Sequence, residues 1–214
     1  MEPLKFGIIG CSRIAKRSVI PAILKSEFAE LEIIGSRSTD KAKEFAKEFN
    51  CEKFGTYEDI ISDDSVDAVY ISTPISTHAE WSKKATEAGK HVYVEKPMSH
   101  DVAEGRICVE AQQKYGVVIQ HGTQRRSDAG IAGLSEAIRA GKFGRLKISY
   151  GYCCKPRGGI GFDKASAPPK NLDWNLWRGP AQIDDYHANY AHYDWHWFWK
   201  TGNGDMNNQG THQL

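Results

Sequence analysis

Five short apolar runs punctuate the first ~120 residues: KFGIIG (5–10), LEIIGS (31–36), VDAVYIS (66–72), HVYVE (91–95) and GVVIQ (116–120). Longer stretches with helical spacing separate them, as in Ile14, Ile20, Ile23 and Leu24, or Ala79, Ala85 and Ala88. Strand-length runs alternating with helix-length segments predict a parallel sheet with crossover helices. Most of the runs are apolar continuously, not alternately, so both faces of each strand are expected to be covered. The fold class expected for residues 1–121 is therefore doubly wound α/β.

The texture changes after Gln120. One helix is predicted to end near Gly141, followed by one alternating strand on Leu146, Ile148, Tyr150 and Tyr152. From Pro156 to Gly204 the chain is rich in Gly, Pro, Trp and Tyr and has little periodicity. Residues 122–214 read as the start of an α+β domain with a mixed or antiparallel sheet, most of whose strands are expected beyond Leu214. With 40% apolar and 26% charged residues the chain can bury a full core. A formal charge of +1 gives no electrostatic case for nucleic acid, and no basic run reads as a membrane patch. No stretch approaches the ~18–20 apolar residues of a membrane span. The opening MEPLKFGIIGC reaches a strand too soon for a signal peptide, which sets the expectation of a cytoplasmic protein. Five cysteines, Cys11, Cys51, Cys108, Cys153 and Cys154, are odd in number and irregularly spaced, so neither a disulfide framework nor a metal site is indicated.

Candidate chemistry clusters where the strands end. GIIGCSRIA places Gly10-x-Ser12-x-x-Ala15 between the first strand and the first helix, the position of a dinucleotide-binding turn. Gly10 would make the tight turn, and Cys11, Arg13 and Ile14 would line the phosphate site at the helix start. Ser12 stands where a second glycine is usual, and its hydroxyl can itself bond a phosphate. NAD sites usually place Asp or Glu after the second strand; here Ser36, Arg37, Ser38 and Lys41 form an anion-binding set, which favours NADP and leaves NAD open. STPISTHAEW follows the third run, so Thr73, Pro74 and His78 are expected to border the cofactor, although a histidine at a helix start is more often a cap. Lys96, in Glu95-Lys96-Pro97, follows the fourth run at the same edge. A lysine there can polarise a substrate oxygen, with Glu95 holding the ammonium and Pro97 shaping the turn.

Together, GIIGCSRIA, TPISTH, EKP and GNGDMNNQGTHQ resemble the Gfo/Idh/MocA family, typified by glucose-fructose oxidoreductase and inositol dehydrogenase. The resemblance implies a Rossmann domain, then a domain built on a large mixed or antiparallel sheet. It also implies hydride transfer between a nicotinamide cofactor and a secondary alcohol carbon of a sugar, cyclitol or related polyol. Lys96 matches the family's catalytic lysine. Gly202-Asn203-Gly204 aligns with a glycine-rich stretch, Asn208 falls on the family's Asp position, and His212 falls on its acid/base histidine. Asparagine cannot exchange a proton at neutral pH, so His212 is expected to carry acid/base duty while Asn208 orients substrate. Gln124 and Arg126, in QHGTQRRS, are further candidate substrate contacts.

Tyr193, Trp195, Trp197 and Trp199 recur at every second residue, as on one strand face; they read as core, as an oligomer interface or, for Trp199, as a sugar-stacking surface. Family members run on for over a hundred residues, so the chain reads as an N-terminal fragment of a protein expected to form homo-oligomers through its C-terminal sheet. Two other readings stay open: a nicotinamide-assisted glycosidase, and a non-catalytic dinucleotide-sensing regulator.

Overall fold

The computed structural model describes residues 2–99, 101–152, 156, 158–179, 181–202 and 204–213, with only the backbone of Asn207 and Gln213. Cys153, Cys154 and Asn203, singled out above, lie outside the described residues. The chain divides into two compact units, Met1–Gly122 and Thr123–Leu214.

The first unit is a six-stranded sheet: β1 (Leu4–Ile9), β2 (Ala29–Gly35), β3 (Lys53–Gly55), β4 (Ala68–Ile71), β5 (His91–Val94) and β6 (Ile119–His121). All pairings are parallel and the order is β3-β2-β1-β4-β5-β6, the doubly wound dinucleotide-binding arrangement. The five expected strands are present with shifted ends. Strand β3 went unrecognised because three residues, KFG, on a sheet edge are too short to show a period. Between strands lie a π-helical stretch (Ala15–Val19) running into α1 (Ile20–Ile23), then α2 (Thr39–Glu48), α3 (Tyr57–Ser62), α4 (His78–Glu87) and α5 (Val102–Tyr115). Three of these start on side-chain caps that satisfy otherwise unpaired helix N–H groups: Ser38 for α2, Thr56 in a reciprocal box with Asp59 for α3, and Asp101 for α5.

The continuous apolar runs follow from two cores, one on each face of the sheet. Successive strand residues point oppositely, so Ile9, Ile33, Val69 and Ile71 pack with Ile60, Trp81 and Ala85. Their neighbours Ile8, Ile34 and Tyr70 pack with Ile20, Ile23 and Ala46 on the other face. Each fully buried isoleucine contributes about 1.5–3 kcal/mol relative to exposure.

Away from the strands' carboxyl ends, Lys53 pairs with Glu32 at 2.5 Å and with Asp63 at 3.0 Å. The Ser65 hydroxyl and N–H, with Lys53, hold the Asp63 carboxyl down to about 2. Because the folded value lies below the unfolded one of about 3.9, this contribution to stability is present above pH ~4 and is lost as pH falls through about 2. The expected outcome is that Asp63→Ala lowers the melting temperature at pH 7 and that the gap to the unmodified protein closes toward pH 2. Melting curves across that range check it, and a gap independent of pH would sink the assignment.

The second unit holds a 3-10 turn (Gln124–Ser127), α6 (Ala129–Arg139), α7 (Trp174–Arg178), a 3-10 turn (Asp194–Trp197), α8 (Gly204–Asn208) and α9 (Gly210–Gln213). The alternating strand expected over 146–152 is not formed: Leu146, Ile148, Tyr150 and Tyr152 are all exposed. Among the described residues of this unit no strand lies beside it, and a lone strand has no ladder to complete its backbone hydrogen bonds. An antiparallel bridge joins Ser166 and Tyr186. Packing comes instead from an aromatic cluster: Trp174 stacks on Trp177 at 5.1 Å and meets Tyr186 edge-on at 5.3 Å, and Tyr190 lies 4.3 Å from Phe198. The alternating aromatics of 193–199 are likewise not a strand face. Trp195 and Trp197 sit on the 3-10 turn, with the Trp195 ring 3.7 Å from that of His196, while Trp199 is 92% exposed.

Candidate functional site

One line of register partners crosses the sheet: Gly35, Ile9, Ile71, Val94 and His121. The ladder continues one residue past that line, because the backbone N–H groups of Ser36, Gly10, Ser72, Glu95 and Gly122 donate to Gly55, Gly35, Ile9, Ile71 and Val94. Every motif of the first unit therefore begins at one sheet edge. In an open parallel sheet that carboxyl edge is where ligands bind.

Gly10 makes the turn with φ +109°, and a Cβ there would lie 3.1 Å from the Ser72 carbonyl oxygen, so only glycine fits. The Ser12 hydroxyl, a candidate phosphate contact, also braces the turn: it accepts from the Ala15 N–H at 3.1 Å and donates to the Ser72 hydroxyl at 2.8 Å. Ser72 in turn donates to the Gly10 carbonyl at 3.1 Å. A second glycine could not make this link between β1 and β4, which is a physical reason for serine at position 12. Cys11 is half-buried, its Sγ 3.8 Å from the Gly35 carbonyl oxygen, and burial raises its pKa. Arg13 and Ile14 are exposed at the helix start.

After β2, Ser36 is buried and accepts from the Ser38 N–H at 3.3 Å, while Ser38 caps α2. Those bonds fix the loop that carries the exposed Arg37 and Lys41. Tyr57 on α3 lies within reach of Arg37: burial pushes the phenol's pKa up, and Arg37 opposes it. Tyr57 is a partner of the loop that sequence reasoning missed, since an aromatic at a helix start reads only as core.

After β4, the Thr77 hydroxyl lies 2.8 Å from that of Thr73 and 2.9 Å from the Pro74 carbonyl oxygen, closing a short turn. His78 is turned inward, 2% exposed, with Nδ1 2.7 Å from the Pro97 carbonyl oxygen and Nε2 2.9 Å from that of Thr73. After β5, Lys96 is half-buried and its bond to the buried Pro97 is cis. The Tyr70 hydroxyl donates to Glu95 Oε1 at 2.9 Å. Tyr70 is fully buried and stacks on its register partner Tyr93 at 5.6 Å, and burial, then the Glu95 charge, push its own pKa far up. It stays a phenol, so it serves as a fixed donor to Glu95. Neither Tyr70 nor Ser72 announced itself, because inside an apolar run a tyrosine and a serine look like filler.

The second unit gathers four of its own candidates. The helix α9, carrying His212, packs on the turn Gln124–Ser127 that carries Gln124 and Arg126. Helix α8 packs on the turn Asp194–Trp197, and Asn208, 3% exposed, donates from Nδ2 to the Tyr193 hydroxyl at 3.4 Å. Trp199 stands apart in solvent. Among the described residues no helix is long and apolar enough to cross a membrane.

Comparison with known proteins gives this geometry a family. Residues 4–123, more than half of the chain, match the Gfo/Idh/MocA family model, described as an oxidoreductase family with an NAD-binding Rossmann fold. The chain is 33% identical over 165 residues to dTDP-3,4-didehydro-2,6-dideoxy-alpha-D-glucose 3-reductase of Actinomadura kijaniata, covering 74% of this chain and 49% of that protein. It is 33% identical over 178 residues to 1,5-anhydro-D-fructose reductase of Ensifer adhaerens, covering 83% of this chain and 50% of that one. The crystal structure of KijD10, a 3-ketoreductase from Actinomadura kijaniata in complex with TDP-benzene and NADP, superposes with a TM-score of 0.61 at 31% identity, over 67% of this chain and 45% of that one. The chain thus spans about half the length of the relatives it matches. With a dinucleotide turn, a Ser-Arg loop and an EKP turn aligned on one sheet edge, and with sequence kinship across both units, the chain belongs to the Gfo/Idh/MocA family of oxidoreductases.

Proposed function

We propose that this chain is the cofactor-binding part of an NADP-dependent oxidoreductase acting on a secondary alcohol, or the corresponding ketone, of a sugar, cyclitol or related polyol. The observation that carries the reading is the shared register line, which sets the Gly10 turn, the Arg37 loop and the Lys96 turn at one edge. The cradle suits a dinucleotide: Gly10 makes the tight turn at φ +109° after β1, and Arg37 and Lys41 supply cations where an NAD site would place a carboxylate. The names of the relatives support a sugar substrate and the NADP in KijD10 supports the cofactor.

The nicotinamide, when bound, supplies or accepts the hydride. The Lys96 ammonium donates a hydrogen bond to the reacting oxygen and stabilises its developing negative charge. Glu95, held by Tyr70, keeps that ammonium in place. Within the second unit, His212 is the candidate for exchanging the hydroxyl proton, and Asn208, Gln124 and Arg126 are the candidates for orienting the substrate. The test is incubation of the whole protein with NADPH and a panel of keto-sugars, and with NADP and the matching alcohols, following nicotinamide absorbance and products. Cofactor turnover with at least one sugar or cyclitol is the expected result. Product formation with a retained cofactor and no net absorbance change would replace the reading by the glycosidase alternative.

A further inference from the structure

The two ring nitrogens of His78 present a chemical problem that the family assignment does not resolve. Both face backbone carbonyl oxygens, Pro97 at 2.7 Å and Thr73 at 2.9 Å, and the residue is 2% exposed. Carbonyl oxygens only accept hydrogen bonds, and a neutral imidazole has one N–H and one bare lone pair. In either neutral tautomer a lone pair would point at a carbonyl oxygen at hydrogen-bonding distance, across a buried contact at Pro97 or a part-buried one at Thr73, a repulsive arrangement that also leaves that oxygen without this donor. Only the doubly protonated ring donates to both.

We propose that His78 is a positioning residue held as the imidazolium cation, stapling the turn after β4 to the turn that carries Lys96. The staple joins residues that are far apart in sequence: Thr73 precedes the ring by five positions and Pro97 follows it by 19. It ties the loop expected to border the cofactor directly to the peptide that follows the catalytic lysine. Two influences oppose the charge, burial and the positive end of α4, at whose first residue the ring sits. Against them stand two short charge-assisted bonds, which are stronger than neutral ones. Ionisable groups on the neighbouring elements include, on α4, Glu80, engaged by Lys84 at 2.6 Å, and Lys83, 3.5 Å from Glu87; on the β5 turn, Glu95 and Lys96, opposite in sign; and, on α5, which packs against α4, Glu104, Arg106, Glu110 and Lys114.

The charge state does not depend on the proposed function; the consequence for cofactor binding rests on it. The experiment is therefore in two parts. In the nitrogen-15-labelled 214-residue chain without cofactor at pH 7.5, long-range proton–nitrogen correlation of the His78 ring, assigned within the unmodified protein, is expected to place both nitrogens at protonated positions. One nitrogen at the position of a bare imidazole nitrogen would overturn the cationic staple. In the second part, NADP is titrated into the unmodified chain and into His78→Asn. About tenfold weaker binding by the variant, with its melting transition retained, supports the positioning role, and equal affinity overturns it. Should His78→Asn fail to fold, His78→Gln takes its place and the ring nitrogens still decide the charge. Failure of the unmodified chain to bind NADP would count against the cofactor reading and leave the nitrogen result standing.

Discussion

Replacing Lys96 by Met in the whole protein is expected to lower turnover by about 10²–10³-fold while changing NADP affinity little. Methionine keeps much of the length and apolar stem of lysine, so the half-buried side chain still fills its place beside Pro97. What it removes is the N–H donor and the positive charge proposed to meet the oxygen as it gains charge. Such an interaction is stronger in the transition state than in the ground state, so its loss falls on kcat more than on KM. Steady-state kinetics with the responsive substrate, together with a cofactor titration, separate the two effects. Unchanged turnover would remove Lys96 from the mechanism, and a matching collapse of NADP affinity would make it a cofactor contact.

The second large effect concerns which dinucleotide is taken. Ser36 and Ser38 fix the loop after β2 through the 3.3 Å bond between them and the cap on α2, so that Arg37 is presented from a rigid base. A 2′-phosphate gains charge-assisted hydrogen bonds from such a guanidinium, each worth about 1.5–3 kcal/mol, whereas a ribose hydroxyl gains much less. Arg37 is exposed, and screening by water favours the lower end of that range. One bond at that end still implies a preference for NADP on the order of tenfold. The Arg37→Asp variant is expected to reverse the preference, because a carboxylate repels the phosphate and accepts from the ribose hydroxyls. Parallel titrations with NADP and NAD measure it. Equal affinities in the unmodified protein would make Arg37 an ordinary surface arginine.

What could be read before the fold was known was periodic or compositional. Continuous apolar runs separated by helix-length segments are enough for a parallel doubly wound sheet, since both faces must be covered and each crossover needs a helix. Motif letters at the strand ends, Gly10, Arg37, Thr73 and Lys96, could be placed because every parallel strand delivers its last residue to the same edge. The three-residue β3 escaped, being too short to carry a period. The second unit escaped more widely: the alternating aromatics of 193–199 and the alternating run at 146–152 obey a strand period, yet the middle two of the first, Trp195 and Trp197, lie on a 3-10 turn and the second has no neighbouring strand among the described residues. A period of two states a preference, and only a paired backbone turns it into a strand.

Tertiary structure alone decided what the polar residues of the first unit do. Ser12, a candidate phosphate contact, ties its turn to Ser72; Tyr70, a core residue, also donates to Glu95; His78, at a helix start, is buried between two carbonyl oxygens. Each of these roles depends on a partner brought close by sheet register or by the packing of a helix end against a turn. Hydrophobic burial has no direction and leaves its pattern in one dimension, whereas a hydrogen bond needs a particular atom within about 3 Å, and that atom is chosen by the fold.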